Sequence, residues 1–207
     1  MMHAGDGIGR FAAILADLDG TLVDTMPLQH LAYQRTLARY GGELTRGDYD
    51  AIVGPPARET IPKFVEAAGL DPARLPPVSQ LHAEKKQALD AILAEGVLDA
   101  LPAAAILRTA MGRRKTAVVT SGNREGATAI LRSLGLLEGL DALVSGDDVV
   151  NGKPDPEPFL KAAELVGAAP AECLVLEDHP AGIAAARAAG MAVMDVRGLP
   201  AQGGWSW

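Results

Sequence analysis

A single cysteine, Cys173, excludes an internal disulfide. It lies in the apolar run Cys173-Leu174-Val175-Leu176 and reads as a small buried hydrophobe, not a reactive thiol. Aromatic residues are scarce, with three Phe, three Tyr and two Trp, and there is no long basic tract. Neither a stacking platform nor a cationic stripe for nucleic acid is therefore expected. No uninterrupted apolar run is long enough to span a bilayer. Residues 1–10 lack the basic region and following apolar stretch of a signal peptide. These absences set the expectation of a cytoplasmic protein, taken as a monomer, with no nucleic-acid or membrane partner.

What is present is an ordinary globular composition, 48% hydrophobic and 22% charged. A length of 207 residues suits one large domain, or a core carrying a smaller one. The formal net charge is −7. An acidic chain that binds an anion has to gather positive charge locally, through a metal ion or a few placed Lys and Arg residues.

The apolar run at residues 11–16 ends in Asp17-Leu18-Asp19-Gly20-Thr21 and predicts a buried strand followed by a turn. Residues 26–98 read as helical throughout. Leu28, Leu31, Ala32, Leu37 and Ala38 keep helical spacing up to Gly41-Gly42. A second helix is predicted from Ala57 to a stop at Gly69, and a third over 79–95 with Gly96 as its stop. Beyond that stretch the pattern alternates. Helices are predicted at 102–111, 125–134, 156–166 and 181–189, with strands at 116–120, 142–145, 173–177 and 192–196. Short apolar strands alternating with amphipathic helices imply a parallel sheet covered on both faces. The expectation is an α/β core, residues 1–25 and 99–207, with an all-helical insertion at 26–98. The first ten residues are expected to be loose, and the tail with Trp205 and Trp207 gives no prediction.

Ligands of open parallel sheets sit beyond the carboxyl ends of the strands. Asp17 and Asp19 follow the first strand, Thr120, Ser121 and Gly122 the second, Lys153 lies past the third, and Glu177 and Asp178 follow the fourth. Crowded carboxylates repel one another unless a cation neutralises them. Hard oxygen donors suit Mg²⁺, and there is no His or Cys cluster to argue for zinc. With such a cation, Asp17 can attack phosphorus as a nucleophile, and Asp19 can protonate a leaving oxygen and later activate water. Thr120 and Ser121 can donate to phosphoryl oxygens, and Lys153 can neutralise charge that builds on them. Each group alone has a plainer reading: a turn, a helix cap, an exposed loop lysine, an acidic pair at a helix start. Their joint occurrence, each after a predicted strand, favours the chemistry.

The runs Asp17-Leu18-Asp19-Gly20-Thr21-Leu22-Val23-Asp24-Thr25, Val118-Val119-Thr120-Ser121, Gly152-Lys153-Pro154-Asp155-Pro156 and Leu176-Glu177-Asp178 with Gly182 resemble the four motifs of the haloacid-dehalogenase superfamily. The resemblance runs from Phe11 to Arg197 and is greatest to the β-phosphoglucomutase-like subfamily and its bacterial fructose 1-phosphate and sugar phosphatases. It implies a Rossmann-like core with a helical cap, Asp17 as nucleophile and Asp19 as general acid/base. It also implies a phosphoryl group held by Thr120 and Lys153, and Mg²⁺ bound by Asp17, the Asp19 carbonyl and Asp178 with Glu177 in support. The implied ligand is a small phosphorylated metabolite. Gln29 stands where those relatives often carry His, with His30 beside it, and Arg58 resembles a cap arginine that reaches the substrate; all three are candidates for substrate contact. Lys85 and Lys86 read as a solvated helix face, with a substrate contact as the alternative, and His179 has no assigned role. A sugar phosphomutase uses the same motifs, and a phospho-ligand binding protein without catalysis is the non-enzymatic alternative.

Overall fold

The computed structural model describes residues 7–54, 56–95 and 99–199. The chain divides into two compact units, Met1–Asp24 with Leu98–Trp207, and Thr25–Val97. Expectations about residues 1–6, the helix stop at Gly96, the end of the insertion at Leu98 and the tail with Trp205 and Trp207 fall outside the described residues.

The first unit holds a five-stranded, all-parallel sheet: β1 (Ala13–Ala16), β2 (Lys115–Val119), β3 (Ala142–Val144), β4 (Cys173–Glu177) and β5 (Ala192–Asp195), in the order β3-β2-β1-β4-β5. This is the predicted Rossmann-like core. All four residues of β1 and all five of β4 are buried, as continuous apolar runs require in a sheet covered on both faces. Ala13, Leu15, Ala117, Val119 and Val175 form one cluster with Phe159, Ala162 and Val166 of α7 (Glu157–Val166) and with Ile183 and Ala186 of α8 (Pro180–Ala188). The alternate strand residues Ile14, Ala16, Val118 and Leu174 are equally inaccessible, α5 (Pro102–Ala110) packs against β1 and β2, and α6 (Arg124–Ser133) follows β2. Cys173 is fully buried and its thiol is pushed up to about 11, chiefly by burial, in agreement with the inert reading. The start of the chain departs from expectation. Ile8–Arg10 forms a 3₁₀ turn, and Ile8 is completely buried.

Register fixes the functional edge. Ala16 lies level with Val118 of β2 and Leu176 of β4. The next residue on each strand, Asp17, Val119 and Glu177, therefore stands at the same carboxyl edge. The Asp17 N–H donates to Leu176 O at 3.0 Å and the Thr120 N–H to Val144 O at 2.9 Å, so pairing continues one residue past the strands. After β3 the chain crosses back past β1 to form β4, and the edge beside β1 is where the direction of winding reverses.

The second unit is helical: α1 (Met26–Ala38), α2 (Arg46–Ile52), α3 (Ala57–Ala67) and α4 (Val78–Ala94). No strand occurs among its described residues. Its core gathers Tyr33, Leu37, Leu44, Tyr49, Ile61, Phe64 and Leu81. The ring pairs Tyr33–Phe64 (4.7 Å between centroids) and Tyr49–Phe64 (5.4 Å) make an aromatic centre from three of the chain's few rings. The sequence reading missed α2. Thr45 and Asp48 form a reciprocal capping box at its start, a signal the sequence carried, but Gly47 and a sparse apolar pattern hid the helix.

Candidate active site

Four loops meet at the carboxyl edge around a cavity of about 290 Å³. Asp17 and Asp19 line it from the first loop, Thr120 and Ser121 from the second, Lys153 from the third, and Glu177, Asp178 and His179 from the fourth. Every core residue given a chemical role from the sequence is in this set.

Lys153 is at its centre. Its ammonium is 2.5 Å from Asp17 Oδ1 and 2.8 Å from Glu177 Oε2, and donates to Val119 O at 3.1 Å. Its three N–H bonds thus have three acceptors, on the ends of β1, β4 and β2. The side chain is only 8% exposed. Burial by itself would push a lysine down, but the two carboxylates outweigh it and hold Lys153 above its ordinary value, fully charged. The Asp17 carboxyl is pushed up to about 7. Burial is the main cause, Lys153 opposes it, and repulsion from Glu177 and Asp19 adds to it.

Asp17, Glu177 and Asp178 offer oxygens within 4.8 Å of one another. Three carboxyl groups crowd around the Lys153 ammonium, and a cation would relieve their mutual repulsion. The donors are all hard oxygens, with no imidazole or thiolate among them, which fits a divalent cation of the Mg²⁺ kind. The Asp19 carboxylate stands outside this group. It is exposed and accepts a long hydrogen bond from Thr120 Oγ1, at 3.4 Å.

Small residues make room for these carboxylates. Asp178 accepts from Thr21 Oγ1 at 2.9 Å, and its carboxylate lies against Gly20, which adopts φ +85°. A Cβ there would collide with the Asp178 carboxylate, and the backbone conformation is one that non-glycine residues avoid. Glu177 accepts from the backbone N–H of Asp178 (3.2 Å) and His179 (3.1 Å), and a Cβ on Gly182 would overlap its carboxylate. His179 is the N-cap of α8, its Nδ1 accepting from Ala181 N at 3.2 Å; a structural role is thus found for a residue that sequence left without one.

The Thr120 loop is braced by residues that the sequence reading passed over. Thr120 Oγ1 accepts from Gly122 N at 3.0 Å, and Gly146 N donates to Gly122 O at 2.8 Å. Gly146 follows Ser145, which forms a capping box with Asp148. Asp148 also pairs with Arg124 at 2.6 Å. The Ser-x-x-Asp spacing was the available signal. Arg124, then the Ser145 hydroxyl, hold the Asp148 carboxyl well below the usual range, so the bracing is present above about pH 4 and is lost as pH falls through the lowered folded-state value. Asp148→Asn is expected to cost about 1 kcal/mol at pH 7, since Arg124 is half exposed. Urea titrations should find the gap to wild type closing in acid; a gap that does not depend on pH would remove the charge from the explanation.

The substrate candidates of the helical unit are held within it. Gln29 Oε1 accepts from Lys85 Nζ. His30 Nε2 lies 3.0 Å from Leu44 O, with its ring 5.4 Å from that of Tyr49. Arg58 is largely exposed and 3.5 Å from Glu59. Lys85 corrects the expectation of a solvated face. It is buried, with its ammonium 5.0 Å from the Tyr33 ring centroid, because an amide acceptor and an aromatic face replace water around it.

Comparison with known proteins finds relatives along nearly the whole chain. The family model described as haloacid dehalogenase-like hydrolase matches residues 14–196. The chain is 37% identical over 190 residues to the fructose-1-phosphate phosphatase YqaB of Escherichia coli, covering 91% of this chain and 97% of that protein. It is 36% identical to a phosphorylated carbohydrates phosphatase of Thermotoga maritima, covering 86% and 82%. Among solved structures, CbbY of Rhodobacter sphaeroides in complex with phosphate superposes with a TM-score of 0.71 at 29% identity, covering 93% and 91%. With the family model matching residues 14–196 and a relative 37% identical over 91% of its length, the chain belongs to the haloacid dehalogenase-like hydrolase family.

Proposed function

We propose that this chain is a Mg²⁺-dependent phosphatase that hydrolyses a small phosphate monoester, a sugar phosphate, through an aspartyl-phosphate on Asp17. The observation that carries the reading is the Lys153 ammonium bridging Asp17 and Glu177 at 2.5 and 2.8 Å, with Asp19 two residues from Asp17 on the same cavity wall. The phosphorylated sugars in the names of the two curated relatives support the substrate class.

In this reading an Asp17 oxygen attacks phosphorus while the ester P–O bond breaks, and Asp19, protonated, gives its proton to the departing oxygen. Asp19 as carboxylate then takes a proton from water, which attacks the phosphorus, releases orthophosphate and restores Asp17. Thr120 and Ser121 donate to the non-bridging oxygens, and the positive charge of Lys153 offsets the negative charge that builds on them in the transition state. Asp17, the Asp19 carbonyl and Asp178, with Glu177 in support, are the residues that would hold Mg²⁺. Bound there, Mg²⁺ would offset the negative charge that two carboxylates and a phosphate share.

The test is a panel of sugar phosphates and para-nitrophenyl phosphate, scored for orthophosphate and for isomerised ester. Orthophosphate release that EDTA abolishes and Mg²⁺ restores is the expected result. Full activity in EDTA would remove the metal, and an isomerised ester without orthophosphate would make the chain a mutase.

A further inference from the structure

We propose that Glu157 is a positioning residue of the site, a carboxylate that closes the loop carrying Lys153 and so fixes where the lysine stands. The kinetic part of this inference rests on the phosphatase reading above. Glu157 is in the first turn of α7, where an acidic residue is favoured by the helix dipole alone. Its contacts go further. Oε1 accepts from the backbone N–H of Val150 at 2.8 Å, and Oε2 accepts from the backbone N–H (2.9 Å) and side-chain amide (3.0 Å) of Asn151. These donors lie six and seven residues back, on the far side of Lys153. The remaining stretch is closed from within, Asp155 N donating to Gly152 O at 3.0 Å and Asp155 Oδ1 accepting from Glu157 N at 2.9 Å.

The loop needs such a closure because of what its lysine does. The Lys153 ammonium has to meet acceptors on three different strands at once. Those acceptors fix the tip of the side chain but leave its backbone root free to drift with an exposed loop; Val150 is 91% exposed. The Glu157 carboxylate supplies both oxygens needed to hold the strand of loop that enters. A glutamine has one acceptor oxygen, and its NH₂ would face an N–H, so it can hold only one side of the pair.

The experiment measures Lys153 directly, by mass spectrometry of its reductive methylation in the full chain. Wild type, Glu157→Gln and Glu157→Ala are compared, with Lys115 in β2 as the reference. Lys153 labelling is expected to rise at least tenfold in Glu157→Ala and less in Glu157→Gln, with the reference unchanged. On para-nitrophenyl phosphate, kcat should fall by up to about 10²-fold with KM nearly constant, since a misplaced lysine harms the transition state more than binding. An unchanged Lys153 rate in both variants overturns the inference, as does a rise shared by Lys115, which would mean that the fold as a whole had loosened. If the wild-type chain releases no phosphate from any ester, the kinetic reading falls with the proposed function, and the labelling still decides the role of Glu157.

Discussion

Asp17→Asn is expected to abolish turnover of every phosphate ester the protein accepts while leaving its fold intact. The amide has no anionic oxygen to attack phosphorus, so the loss should be at least about 10⁴-fold in kcat. The fold should tolerate the change because Asn is the same shape and Lys153 keeps Glu177 Oε2 and Val119 O as acceptors. The amide also removes a carboxyl that burial, with repulsion from Glu177 and Asp19, pushes up to about 7, so a costly buried charge is gone. Circular dichroism should be superimposable on wild type, with a thermal midpoint within about 4 °C. Trapping with labelled ester should find an acid-stable, hydroxylamine-sensitive phosphoryl adduct in wild type and none in the variant. Wild-type turnover by Asp17→Asn would end the aspartyl-phosphate mechanism.

The core and its site were legible because two strong signals coincide there. Buried parallel strands are short unbroken apolar runs, and each run here ends on residues that line the cavity: Ala16 before Asp17, Val119 before Thr120, Leu176 before Glu177. The parallel register then brings those ends together, so position in sequence translates into position in space. What was not legible rests on contacts between distant residues. Nothing near Glu157 says that its oxygens will reach back to Val150 and Asn151, and nothing near Asp148 says that Arg124 will meet it. Lys85 misled for a related reason. Two adjacent lysines suggest a wet face, but helical geometry turns Lys85 inward to Gln29 and the Tyr33 ring, whereas Lys86 stays half exposed. Helix α2 escaped because its seven residues include a glycine and bury only Tyr49.

Gly182→Ala sets local propensity against the site, and the site is expected to win. In the third position of α8, alanine should help the helix by about 1 kcal/mol. An alanine in place of Gly47 in α2, where a Cβ would be 3.8 Å from its nearest neighbour, is expected to deliver part of that gain. At Gly182 the added Cβ would instead overlap the Glu177 carboxylate. Glu177 is 1% exposed and bonded to Lys153 and to two backbone N–H groups, so it has no empty space to enter. Either the carboxylate leaves its three donors or α8 moves off the sheet. Both cost about 1–3 kcal/mol, more than the propensity returns. Displacement of Glu177 also removes one of the acceptors that fix Lys153 beside Asp17, and kcat should drop by about 10²-fold. Combining Gly182→Ala with Glu177→Ala separates the two effects. The double variant should be no less stable than Glu177→Ala alone, because the clash is gone, and should stay impaired, because the carboxylate is gone with it. A Gly182→Ala protein with wild-type kcat and thermal midpoint would mean that the Glu177 carboxylate is not needed where the structure puts it.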